Sequence, residues 1–251
     1  MGSWDELLQA TVDATRVAGE IAIEARKHLK PELKPDGSIV TNGDREVEEY
    51  LRSALLQLTP GAGFWGEEFG YSPPTEDGFW LVDPIDGTSN YRFGQPLWGV
   101  TIGYMQGGRL RVGTLSLPDL GIMLAAADGL GATCNGGSLA QIPPGAISDE
   151  QLIGHTDLRK MRAGFPGKVR HLGAFVVEAA FVARQQIRAM TAGRVKLYDA
   201  AGGIIICREL GADIRHFDGT PFDESLWCED KRCMPFLIGP RDSNFPFGSE
   251  G

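Results

Sequence analysis

The chain has 251 residues, with 24 Lys and Arg against 33 Asp and Glu and a formal net charge of −9 at pH 7, which argues against broad electrostatic binding to nucleic acid or to anionic membranes. A globular chain of this length buries about 70% of its unfolded surface, so the core needs neither disulfides nor a structural metal. The four cysteines, Cys134, Cys207, Cys228 and Cys233, form no CxxC pair, and no apolar run approaches the roughly 18 residues of a membrane span, so the expected setting is the cytoplasm.

From Trp4 to Leu29 the apolar residues Leu7, Leu8, Val12, Val17, Ile21, Ala25 and Leu29 recur mostly at intervals of three and four, which predicts an amphipathic helix rather than a signal peptide. Pro31 and Pro35 stop it. Asp36 and Gly37, followed by Ile39 and Val40, suit a short hairpin or loop. A second helix is expected from Asn42 or Asp44, either one a fitting cap, through Leu58.

Phe79 to Val82 is a short apolar strand expected to end at Asp83 and Pro84, with Gly87 and Thr88 turning into a short helix. Trp98 to Met105, Arg109 to Leu115 and Gly121 to Ala127 read as an antiparallel meander separated by glycines and by Pro118 and Asp119. A glycine- and proline-rich passage from Asn135 to Gly145 follows. Beyond it the expected order is a strand at Leu152 to Gly154, helices at Leu172 to Met190 and Ala200 to Leu210, and strands at Asp213 to Phe217 and Phe236 to Ile238. A boundary near residue 140 divides the chain into parts 1–140 and 141–251, and residues 241–251 read as a loose tail.

Three acidic clusters hold the chemistry: Glu67 and Glu68 after Gly66, Asp83 and Asp86 within WLVDPIDGTSN, and Asp199 opening DAAGG. Carboxylates from several segments are the donors that hard cations such as Mg2+ prefer, and they suffice for two ions that share one bridging aspartate. Pro84 fixes its own φ and keeps Asp83 extended, so both aspartates of D-P-I-D can aim at one point with the Ile85 carbonyl between them. Gly87, Thr88 and Ser89 would then offer backbone N–H groups to an anion beside the metals. Taken singly, each element has a plainer reading: a turn and helix cap for D-P-I-D-G-T, a solvated loop for Glu67 and Glu68, and an N-cap for Asp199. The four histidines share no metal-ligand spacing, and no complete GxSxG elbow, P-loop or dinucleotide-binding fingerprint occurs.

In combination and order, GEE at residues 66–68, WLVDPIDGTSNY at 80–91 and DAAG at 199–202 resemble the motifs of the inositol monophosphatase family, with further similarity at residues 39–44 (IVTNGD), 170–183 and 208–219. The resemblance implies an α/β fold, the layered α-β-α-β-α sandwich of the inositol monophosphatase and fructose-1,6-bisphosphatase type, and a Mg2+-dependent phosphomonoesterase with two or three ions per site that works as a homodimer. It further implies that Glu67, Asp83 and the Ile85 carbonyl bind one Mg2+ while Asp83, Asp86 and Asp199 bind a second, and that Thr88, oriented by Asp44, helps deprotonate the attacking water. Gly87, Thr88 and Ser89 would cradle the phosphate, and Gly173, Ala174 and Ala192 would face the substrate. Two departures stand out. Tyr198 replaces the tryptophan usual before the last aspartate, and Ala192 stands where inositol-specific members carry a glutamate. The expected substrate is therefore a small phosphate monoester: an inositol phosphate, histidinol phosphate, or another polyol or sugar phosphate. The alternative is a non-catalytic metal-binding or regulatory protein that keeps the fold.

Overall fold

The computed structural model describes residues 3–35, 37–157, 164–193, 195–226 and 234–246. Helix α1 (Trp4–Arg26) starts on a reciprocal cap, in which the Ser3 amide donates to Glu6 Oε2 and the Glu6 amide to Ser3 Oγ. Strands β1 (Glu32–Leu33) and β2 (Ile39–Val40) form the expected hairpin; Asp36, named in that expectation, lies outside the described residues. In α2 (Asn42–Leu58) the cap residue is Thr41, one position before Asn42 and three before Asp44, the two expected ones. Asp44 reaches back from the first turn to accept from the Thr41 amide at 2.8 Å and from its hydroxyl at 2.5 Å.

An eight-stranded sheet has the order β10-β9-β8-β7-β6-β5-β3-β4. Its members are β3 (Gly63–Gly66), β4 (Tyr71–Ser72), β5 (Phe79–Asp86), β6 (Gly99–Gln106), β7 (Arg109–Leu117), β8 (Ile122–Ala127), β9 (Gly131–Cys134) and β10 (Gly137–Ser138). The meander β6-β7-β8 is antiparallel as expected, whereas β3 and β5 run parallel. Helices α1 and α2 cover one face of this sheet, around a core that includes Val47, Leu51, Phe64, Trp80 and Trp98. On the other face lie α4 (Phe175–Ala183) and α5 (Leu197–Glu209). Small residues let α5 approach closely: a Cβ on Gly202 would come within 2.7 Å of the Thr114 carbonyl oxygen.

The second sheet, of order β12-β11-β13-β15-β14, packs on the far side of α4 and α5. It comprises β11 (Leu152–His155), β12 (Lys168–Arg170), β13 (Ala189–Ala192), β14 (Asp213–His216) and β15 (Phe236–Gly239). Alternation along its strands sends Met190, Ala192, Phe236 and Ile238 toward the helices, and Ala189 and Leu237 to a smaller apolar cluster on the outer face. Layers of helices and sheets thus alternate as a sandwich.

Two expected elements differ. The helix anticipated over Leu172 to Met190 is only nine residues long, because Gln185 adopts φ +57° and turns the chain so that Ala189 to Ala192 can pair with both β11 and β15. The strand expected to end at Asp83 continues to Asp86. Cys228 and Cys233 and the last five residues of the expected tail lie outside the described residues. No helix among the described residues is long and apolar enough to cross a membrane.

Candidate active site

Because β3 and β5 are parallel with Gly66 opposite Val82, Glu67, just past the carboxyl end of β3, comes beside Asp83, in the second half of β5. Ligand sites of α/β sheets characteristically lie at such ends. Pro84 has no N–H for the ladder, and between Asp83 (opposite Thr101) and Asp86 (opposite Gly99) the register slips by one residue. The Ile85 amide turns back to donate to Asp83 Oδ1 at 3.0 Å. Gly87, at φ +88°, then swings the chain into the five-residue helix α3 (Thr88–Arg92). A Cβ there would sit 2.8 Å from the Ala174 methyl, so this turn lies against the start of α4. Asp199 is the third residue of α5 rather than its cap, and its Oδ2 accepts from the Lys196 amide at 2.7 Å.

Asp83 is 3% exposed. Burial first, then the charges of Glu67, Asp86, Asp199 and Asp44, raise its pKa well above the usual carboxylate range. Asp199 is raised likewise by burial, Glu67 and Asp86. Asp86 is pushed up to about 7 by burial, although the Val176 amide, donating to its Oδ2 at 2.5 Å, pulls the other way. These directions describe a cluster of oxygen donors that needs positive charge nearby.

Among the described residues no three acidic, imidazole or thiol side chains converge on one point at ligand distance. Each carboxylate is turned instead onto a protein donor: Asp83 onto Ile85, Asp86 onto Val176, Asp199 onto Lys196, and Glu67 onto the Lys34 ammonium at 3.1 Å. The fit to a hard dication therefore rests on the chemistry of the donor set. That set is all oxygen, comes from three chain segments, and is held in mutual repulsion.

The Thr88 hydroxyl lies 3.1 Å from the Ile85 carbonyl oxygen and 3.3 Å from Asp44 Oδ1, with its proton directed to these two acceptors. Asp44 is wholly buried, and that burial, opposed by its Thr41 bonds, pushes its pKa up to about 6. Ser89 is exposed at the rim. Of the three residues expected to face substrate, Gly173 is exposed, Ala174 is buried against the Gly87 turn, and Ala192, 1% exposed, packs within the apolar cluster between the second sheet and the helices. Tyr198 packs edge-on against Trp65, with ring centroids 5.2 Å apart.

Two residues near the acids escaped the sequence reading. Lys34 bridges Glu67 and Glu68, its Nζ 2.5 Å from Glu68 Oε1; burial opposes its charge, but the two glutamates outweigh burial and raise its pKa. Glu48 is fully buried and accepts from the Glu68 and Phe69 amides, both at 2.7 Å, fixing the turn that presents Glu67. Its signal was present in the helical spacing, since Asp44, Val47, Glu48, Leu51 and Leu55 share the buried face of α2.

Residues 3–233 match the model of the inositol monophosphatase family. A histidinol-phosphatase of Mycobacterium tuberculosis is 33% identical over 239 residues, which cover 87% of this chain and 90% of that protein. Inositol monophosphatase 1 of Homo sapiens is 29% identical over 242 residues, 88% of this chain and 87% of its own. A solved IMPase/NADP phosphatase complexed with Mg2+ and phosphate superimposes with a TM-score of 0.81 over 95% of this chain and 92% of that one; at 20% identity it shows the shared fold.

Proposed function

Because the chain belongs to the inositol monophosphatase family and is a phosphomonoester hydrolase, we propose that it hydrolyses a small phosphate monoester with Mg2+, at the acidic cluster around Asp83. The observation that carries this reading is the mutual repulsion of Glu67, Asp83, Asp86 and Asp199 beside the left-handed turn at Gly87. Glu67, Asp83 and the Ile85 carbonyl would hold one ion, and Asp83, Asp86 and Asp199 a second, with Glu67 open to a third. Bound Mg2+ supplies Lewis acidity, which acidifies water and offsets charge on phosphate and leaving oxygen.

The protein's own groups do the rest. Asp44 orients the Thr88 hydroxyl, and Thr88 in turn aligns the attacking water and passes its proton toward Asp44. The Gly87, Thr88 and Ser89 amides face the phosphate oxygens. Residues 1–140 would carry most of these groups, and residues 141–251 would add Asp199 and the wall at Gly173 and Ala174. The assembly is proposed as a cytoplasmic homodimer.

For the alcohol, the reading puts histidinol phosphate ahead of the inositol phosphates. Support comes from the 33% identical histidinol-phosphatase; Ala192, packed in the apolar cluster, does not enter this choice. Steady-state kinetics on histidinol phosphate, inositol 1-phosphate, glycerol 2-phosphate and an adenosine bisphosphate test it. The highest kcat/KM is expected for histidinol phosphate, and a value for inositol 1-phosphate a hundredfold above all the others would overturn the substrate assignment.

A further inference from the structure

The segment that closes over the Gly87 turn comes from the other half of the chain and is held at the backbone of one residue. Leu172 lies between β12 and α4. Its carbonyl oxygen accepts from Asn90 Nδ2 at 2.8 Å, and its amide donates to Glu178 Oε1 at 3.1 Å. The same Asn90 nitrogen donates to the Leu97 carbonyl oxygen at 2.6 Å, so both amide protons of one side chain are spent on two backbone segments 75 residues apart. Next along the chain, Gly173 has φ +81°, and a Cβ there would come within 2.8 Å of the Asn90 amide. Only glycine allows both the turn and the contact. One residue further, the Ala174 methyl meets the Gly87 turn.

Glu178 is the odd member of α4. The helix reads FVVEAAFVA, apolar on every side, and Glu178 is 0% exposed. Its Oε1 takes the Leu172 amide, while its Oε2 lies against Gly154, where a Cβ would come within 2.8 Å, and has no hydrogen-bond partner among the described residues. A carboxyl buried with half its bonding capacity unused is a costly way to fill a helix position that an apolar side chain would fill more cheaply. What it supplies that an apolar residue cannot is an acceptor for the Leu172 amide.

We propose that Asn90 and Glu178 are positioning residues that grip the backbone of Leu172, one at its carbonyl oxygen and the other at its amide, so that Gly173 and Ala174 form a fixed wall over the phosphate cradle and orient the substrate. This rests on the assignment of that cradle to Gly87, Thr88 and Ser89. The grip links residue 90 of the first half of the chain to residue 178 of the second, and it acts on substrate binding rather than on the chemical step.

The test compares Asn90→Ala, Asn90→Asp, Glu178→Leu and Glu178→Gln, with p-nitrophenyl phosphate and Mg2+ as the assay and with amide hydrogen exchange at Leu172 as a readout independent of turnover. Asn90→Asp keeps shape but turns an acceptor toward two carbonyl oxygens, so KM is expected to rise at least tenfold while kcat falls less than threefold, and at least as far as in Asn90→Ala. Glu178→Leu should raise KM similarly and speed Leu172 exchange at least tenfold. Glu178→Gln retains an acceptor and should recover most of both. Wild-type KM in Asn90→Asp, or Leu172 exchange in Glu178→Leu that matches wild type in a folded protein, overturns the proposal. Absence of turnover in the wild-type protein counts against the phosphatase reading instead, and the exchange measurement still decides the grip.

Discussion

Glu48 provides a prediction whose size follows from the structure. Its carboxylate is buried under the turn of residues 66–70, where burial, opposed by the Phe69 and Glu68 amides, pushes its pKa from 4.5 up to about 7. A folded-state pKa above the unfolded one means that the folded protein holds this proton more tightly, so stability falls as pH rises between about 4.5 and about 7. At about 1.36 kcal/mol per unit, the full rise is worth about 3 kcal/mol. Glu48→Gln does not titrate. Its stability relative to wild type should therefore improve by about 2–3 kcal/mol between pH 5 and pH 8. At either pH the amide must turn its NH2 toward one of the two backbone N–H donors at 2.7 Å, which shifts the Glu67 turn. Urea unfolding of both proteins at the two pH values, in buffer without divalent cations, measures the first effect, and kcat with excess Mg2+ the second. A wild-type-to-variant difference constant within about 0.5 kcal/mol from pH 5 to pH 8 would refute the reasoning, because it would mean that Glu48 is not held neutral by burial.

Thr88→Ala should lose two or more orders of magnitude in kcat while Thr88→Ser keeps much of it, in line with the roughly 100-fold worth of general-base assistance; equal kcat in the two, with only a lowered Tm for Ala, would leave Thr88 a helix-start residue. Gly87→Ala places a Cβ at φ +88° and 2.8 Å from the Ala174 methyl. It should cost about 1–2 kcal/mol from the left-handed backbone alone and weaken inhibition by inorganic phosphate at least tenfold; unchanged phosphate inhibition would remove Gly87 from the cradle.

Much of this was legible because local pattern and tertiary need agree. The apolar spacing of α1 and α2, the meander after Gly99 and the D-P-I-D-G-T run into α3 all appear as read, since each periodicity is the one its layer buries. The missed β13 illustrates the opposite case. Ala189 to Ala192 follow α4 after the mostly polar residues 184–188, their four residues carry no clear strand alternation, and only pairing with β11 and β15 makes them a strand. The aspartates were legible as a set because three of the motifs that carry them are short and contiguous. Lys34 and Glu48 were not, because each acts on a backbone or carboxylate 20 or more residues away, nor was Glu178, whose target is six residues distant across a loop; Asn90 stands inside the WLVDPIDGTSNY motif, but its hold on Leu172 does not show there. For Glu178 a trace exists in the sequence: a lone carboxylate in a helix with no polar face is bound to be buried.

The central claim is that Asp83 holds both catalytic ions at a phosphomonoesterase centre, and Asp83→Asn tests it most directly, since the change keeps the size of the side chain and its acceptor for the Ile85 amide while removing the charge. Phosphate release measured with excess Mg2+ should fall at least a hundredfold with the fold intact; retention of more than a tenth of wild-type kcat would contradict the account.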